Sequence, residues 1–172
     1  ISNSFFDGNT AAISIDEWYV VDTLKLENLT IVENQNGISF ANWWNPIDEG
    51  IPYLKANNVV FYNNSLEDIN IPDRDWNYII DGYIDISYSH INENSLFSEF
   101  NVGTNNIFLD PLFCDEEGGD FTLAENSPLI GAGSNGGTIG YFDAGCSGIY
   151  NGPNWYVSNA GSNGNGDGSE QN

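Results

Sequence analysis

The chain has 172 residues, with 25 acidic side chains against three basic ones (Lys25, Lys55 and Arg74) and a formal net charge of −22. A surface that negative repels phosphate backbones and anionic lipid, which speaks against nucleic acid and membranes as partners and leaves divalent cations and neutral polymers. No apolar run is long enough for a membrane-spanning helix. Met is absent while Asn, Gly, aromatics, Ile, Val and Thr abound, so a turn-rich, all-β chain is expected.

Four segments align without internal gaps: residues 1–9 (ISNSFFDGN), 26–34 (LENLTIVEN), 56–64 (ANNVVFYNN) and 86–94 (ISYSHINEN). Self-similarity at a spacing of about 25–30 residues is a solenoid signature. All four end on Asn (Asn9, Asn34, Asn64, Asn94), and three carry Asn in third position (Asn3, Asn28, Asn58), with Tyr88 as the exception. Period-two alternation runs up to the first Asn and restarts one residue beyond it, so the chain bends there. The inward columns are Leu24/Leu54/Ile84 and Ile1/Leu26/Ala56/Ile86 before the bend, and Ser4/Leu29/Val59/Ser89 and Phe6/Ile31/Phe61/Ile91 after it. Asn suits such a bend because it tolerates the left-handed region, and stacked amides bond to one another from coil to coil. A third strand is expected over residues 12–15 and 37–40, and more weakly over 66–69. The competing arrangement, an antiparallel sandwich, also gives short strands and many turns, but it predicts no fixed column of Asn.

Beyond the third strand, each coil carries a long connection. Trp18, the pair Trp43 and Trp44, and Trp76 fall at corresponding places in three successive connections, among Asp16, Glu17, Tyr19, Asp48, Glu49, Asp73, Arg74, Asp75 and Tyr78. If the coils stack, these connections stack too, as a strip of flat rings beside carboxylates. Such a strip suits a neutral sugar chain, whose CH faces pack on rings and whose hydroxyls donate to carboxylates. The candidate carbohydrate-binding residues are therefore Trp18, Tyr19, Trp43, Trp44, Trp76, Tyr78, Asp48, Asp73 and Asp75. The plainer alternative is that the rings fold back to cover the solenoid's apolar side.

The unit at residues 1–9 resembles the coils of right-handed β-helix proteins of the pectin-lyase-like superfamily. Four later motifs follow in the order seen at the closing end of large bacterial secreted β-helix proteins: Asp110-Pro111-Leu112-Phe113, Gly119-Asp120-Phe121-Thr122-Leu123, Ser127-Pro128-Leu129-Ile130-Gly131-Ala132-Gly133 and Ile139-Gly140-Tyr141-Phe142. The family commonly has Asp where this chain has Gly131. The resemblance implies an all-β, right-handed parallel β-helix of about four to six coils with an irregular closing segment, over residues 1–144. A Gly/Pro linker at 145–153 leads to residues 154–172 (NWYVSNAGSNGNGDGSEQN), which resemble the start of a second such module. The chain reads as an excerpt of a secreted or bacterial cell-surface protein with further β-helix modules.

Enzymes of that superfamily cleave pectin and related polysaccharides. A lyase needs a cationic base and groups that neutralise a uronate, which three basic side chains scarcely supply. A hydrolase needs two carboxylates facing each other about 5–9.5 Å apart; Asp73, Asp75 and Asp68 are the nearest candidates, and adjacent loop acids are ordinarily solvated surface. No catalytic residue is expected within this stretch. The leading expectation is a non-catalytic scaffold for adhesion or glycan binding. Its alternatives are part of a lyase or glycoside hydrolase with its catalytic coils elsewhere, and a plain spacer. His90 falls in the outward column with Phe5, Thr30 and Val60 and reads as a surface histidine. For calcium, the oxygen-rich stretch with Asp115, Glu116, Glu117 and Asp120 is the better candidate; residues 163–168 resemble the first half of an EF-hand loop. Cys114 and Cys146 are too far apart for a CxxC motif, so they either pair, in an oxidising compartment, or are two buried small side chains.

Overall fold

The computed structural model describes residues 1–15, 23–40, 54–70, 84–92 and 103–149. Asn94, the aromatic strip, Asp73, Asp75 and residues 150–172 lie outside the described residues. The described chain is all-β, with ten strands and no helix: β1 (Ser2–Asp7), β2 (Ala11–Ile15), β3 (Leu24–Val32), β4 (Asn36–Phe40), β5 (Leu54–Tyr62), β6 (Glu67–Asn70), β7 (Ile84–Ser87), β8 (Phe113–Asp115), β9 (Asp120–Ala124) and β10 (Ala144–Cys146).

Two sheets are wholly parallel, ordered β1-β3-β5-β7 and β2-β4-β6. In the first, Leu29 pairs with Ser4 and with Val59, and Leu54 with Leu24 and Ile84. In the second, Ile38 pairs with Ile13 and Ile69. Equivalent residues of successive repeats are thus strand neighbours, about 4.8 Å apart, and each apolar column becomes a ladder. The ladders meet in one core, where Leu26, Leu29, Ile31, Ile38, Val59 and Phe61 are fully buried.

The left-handed corners explain how one continuous strand turns. Asn3, Asn28, Asn58 and Tyr88 have φ of 50°, 54°, 55° and 50°, so the first bend uses the same backbone state in every repeat. Three of the four are Asn, the non-Gly residue for which that state is least costly. At the second corner the left-handed residue is the one before the recurrent Asn, namely Gly8, Glu33 and Asn63 at φ of 68°, 54° and 52°. One extra residue enters this corner in the third repeat: Asn64 follows Asn34 by 30 positions, but Glu67 pairs with Asn36 across 31. Strand β6 consequently begins at Glu67, and Leu66 stays outside it, 66% exposed.

The closing residues form a mixed sheet, β10-β9-β8, with β8 antiparallel and β10 parallel to β9. This unit folds back over the outward side of the first parallel sheet. Phe5 stacks against Phe121 and Phe142 at ring centroid distances of 5.6 and 5.0 Å, and Tyr62 meets Phe113 at 5.3 Å. Val32 and Val60 join Phe113, Phe121, Leu123, Leu129 and Ile139 in a second core. At Gly140 φ is 104° and a Cβ would sit 2.8 Å from Val60 and 2.9 Å from Thr30, so a side chain there would strain the backbone and crowd both neighbours.

Candidate functional site

The two Asn columns are hydrogen-bonded ladders of opposite polarity. At the first corner, Asn58 donates its amide to Asn28 Oδ1 at 3.1 Å, and Asn28 donates to Asn3 Oδ1 at 3.0 Å. At the second, Asn9 donates its backbone and side-chain N–H to Asn34 Oδ1 at 2.9 and 3.1 Å, and Asn34 donates both to Asn64 Oδ1 at 3.2 Å. Asn34 is fully buried and also donates to Val32 O and Phe6 O, so no part of its amide is wasted. The first ladder passes into the closing segment: Ser134 N–H donates to Asn58 Oδ1 at 2.9 Å, and Asn58 donates to Ser134 Oγ at 3.2 Å.

The ends of the third strands fix where the long connections attach. Ile15 is the register partner of Phe40, and Ser39 that of Asn70. The following strands start at Leu24, Leu54 and Ile84, which are register partners as well. The segments holding Trp18 and Tyr19, then Trp43, Trp44 and Asp48, then Asp73, Asp75, Trp76 and Tyr78, are therefore tethered at neighbouring points on the same two sheets. From Ile15 to Leu24 is 9 positions and from Phe40 to Leu54 is 14, a difference of 5. The first two recurrent-Asn intervals, 25 and 30, also differ by 5, so that extra length all falls between Phe40 and Leu54. The tethers are firm: Phe40, Leu54 and Ile84 are buried. Beside the returning ends, Lys25, Lys55 and Asp85 form one outward column.

His90 is not on the surface. It is 2% exposed, its Nδ1 lies 2.8 Å from Phe61 O, and its ring is 5.9 Å from that of Tyr62. The column it shares with Phe5, Thr30 and Val60 does face away from the first core, but the closing segment covers it, with Tyr141 N–H donating to Thr30 Oγ1 at 2.9 Å. Burial lowers the His90 pKa to about 4, against the hydrogen bonds to Phe61 and Leu109 that raise it. The signal for this was the apolar character of Phe5 and Val60 at outward positions.

Three of the four candidate calcium ligands, Asp115, Glu116 and Asp120, turn to a partner within the protein. Asp115 Oδ1 accepts from Gly118 N–H at 3.0 Å, and Asp120 Oδ1 from Thr122 N–H at 3.0 Å and Thr122 Oγ1 at 2.6 Å. Those Thr122 bonds hold the Asp120 carboxyl below its ordinary range. Glu116 accepts from the Tyr62 hydroxyl at 3.1 and 3.2 Å, a pairing that sequence spacing alone does not suggest. Burial pushes both groups up; the Glu116 charge adds to the shift in Tyr62, and Asp110 and Glu33 add to that in Glu116. Among the described residues no three His, Cys, Asp or Glu side chains gather as a metal site would require. Asp68, a candidate hydrolytic acid, lies in β6, is 6% exposed and accepts from the second-corner Asn64 Nδ2 at 2.9 Å.

Cys114 and Cys146 form a disulfide with Cα atoms 5.9 Å apart, tying β8 to β10 around β9. Gly131 has φ of 76°, a conformation natural to Gly and costly for Asp. Comparison with protein-family models, with curated proteins and with solved structures finds no match.

Proposed function

We propose that the chain winds as a right-handed parallel β-helix and serves outside the cell, secreted or on a bacterial surface, as a non-catalytic scaffold for adhesion to a neutral glycan. The observation that carries this reading is the coincidence of tethers: three connections that all contain Trp leave and rejoin the strands at stacked register positions. A rigid stack offering one aromatic connection per repeat suits an extended polymer, because several weak contacts on one framework act together. The disulfide fits an oxidising compartment. The net charge of −22 disfavours polyanions and leaves neutral sugars.

The test is a glycan array probed with the intact chain and with Trp43→Ala, Trp44→Ala and Trp76→Ala combined. Binding to a neutral glycan that the triple variant loses supports the reading. Binding that survives the three substitutions overturns the assignment to the Trp-bearing connections, and no binding at all overturns the reading in favour of a spacer.

A further inference from the structure

The closing segment is attached in two different ways. Up to Phe142 it is held by burial: Phe113, Phe121, Leu123, Leu129 and Ile139 share a core with Val32 and Val60, Phe142 meets Phe5, and Gly140 N–H donates to Asn58 O at 3.1 Å. Beyond Phe142 the attachment changes character. Ala144, Gly145, Ser147 and Gly148 are exposed, Cys146 and Ile149 are only partly buried, and none of the six belongs to either apolar core. Strand β10 is three residues long and pairs with β9 across a register shift, Ala144 opposite Leu123 and Cys146 opposite Ala124. Glu125 N–H donates to Cys146 O at 3.0 Å, and Ile149 N–H to Asn126 Oδ1 at 2.8 Å.

A short, interrupted ladder without apolar burial is marginal in water. What fixes β10 is the Cys114–Cys146 bond, which reaches past β9 to β8. Cys114 follows Phe113, a member of the second core, so the disulfide fastens an exposed strand to a buried one. Both half-cystines are partly exposed, and Cys146 stands between exposed Gly145 and Ser147. A small thiol therefore reaches the bond without prior unfolding.

We infer that the Cys114–Cys146 bond is a redox latch: it holds residues 144–149 on β9 in the oxidised protein and releases them on reduction, while residues 103–142 stay on the stack. A small thiolate attacks the Cys146 sulfur, forming a mixed disulfide and breaking the bond to Cys114, which leaves as thiolate. A second thiol then attacks the mixed disulfide and displaces Cys146, so two thiols are oxidised to one disulfide and both cysteines end reduced and take up protons. Release bares the β9 edge that β10 had paired, and moves the last anchored residue of the described closing segment from Ile149 back to Asp143. The latch stands on topology and burial and is independent of glycan binding.

The test follows amide hydrogen exchange by NMR in the intact chain at neutral pH, before and after dithiothreitol and again after reoxidation. Exchange at Glu125 and Ile149 should quicken about thirtyfold or more on reduction, the opening that loss of a typical disulfide permits, and should slow again on reoxidation. Ile139, Gly140 and the amides of β3 and β5 should keep their protection. The double variant Cys114→Ser with Cys146→Ser should match the reduced protein without any reductant; if it does not fold, reduction of the folded chain decides alone. Unchanged exchange at Glu125 and Ile149 in the reduced protein overturns the inference. So does loss of protection at Ile139 and Gly140 together with them, which makes the bond a staple of the whole closing segment. Resistance of the folded protein to dithiothreitol, or failure of reoxidation to restore protection, overturns it as well.

Discussion

The described residues up to 92 hold their core between strands that repeat one another, whereas residues 103–149 hold theirs between unlike strands and the outside of that stack. In the stack each inward residue is paired with its equivalent 25, 30 or 31 positions away, so one column of choices is made several times over. In the closing segment every contact is made once: Phe121 on Phe5, Gly140 against Val60, Ser134 on Asn58. Repetition makes the first core redundant. Singular contacts make the second core a clasp across several repeats, with the disulfide inside it.

Deleting one ring from each core separates the two most sharply. Phe61→Ala and Phe121→Ala should each cost about 3–5 kcal/mol, because both rings are almost wholly buried. Their hydrogen-exchange patterns should differ. The Phe61 change should lower protection throughout, while the Phe121 change should open residues 103–149 and leave amides of β3 and β5 protected. Equal loss in both regions for both variants would show a single cooperative unit and dissolve the distinction.

A smaller effect concerns the histidine at the seam. His90 has a folded pKa of about 4 against an ordinary 6.5, so the unfolded chain takes up its proton first as pH falls. Its contribution is complete above about pH 6.5, is lost progressively as pH falls through the window down to about 4, and amounts to about 3 kcal/mol. Urea midpoints should decline over that window, and His90→Gln should flatten the decline. A decline of the same slope in the variant would assign it to the carboxylates.

The mildest change strengthens the stack. Tyr88 adopts the left-handed bend at φ of 50°, where the other three repeats use Asn. Tyr88→Asn should raise stability by about 1 kcal/mol, because the short polar Asn side chain hydrogen-bonds locally and offsets the cost of the left-handed bend. An unchanged or lower urea midpoint would mean that Tyr88 packing outweighs its backbone cost.

How legible each region was follows from the same contrast. Period-two alternation and the recurrent Asn disclose the strands, the first bend and which equivalents lie in register, because those features recur four times. Alternation distinguishes inward from outward but is silent about what covers the outside, so His90 read as a surface residue although the closing segment buries it. The second corner misleads in a subtler way. Its constant residue is Asn34 and its equivalents, yet the strained backbone belongs to Gly8, Glu33 and Asn63; the Asn is kept for its amide. The Tyr62–Glu116 bond joins residues 54 positions apart in unlike elements, and no periodicity points to it.

That the extra five residues of one repeat all fall between Phe40 and Leu54 has a practical reach. Length added there is invisible to the register on either side, and its entropic charge grows only by about 0.6 kcal/mol for each doubling. What the molecule touches and what keeps it folded can then change separately, so foreign sequence grafted into residues 41–53 should be carried by the stack as cargo without retuning a single inward column.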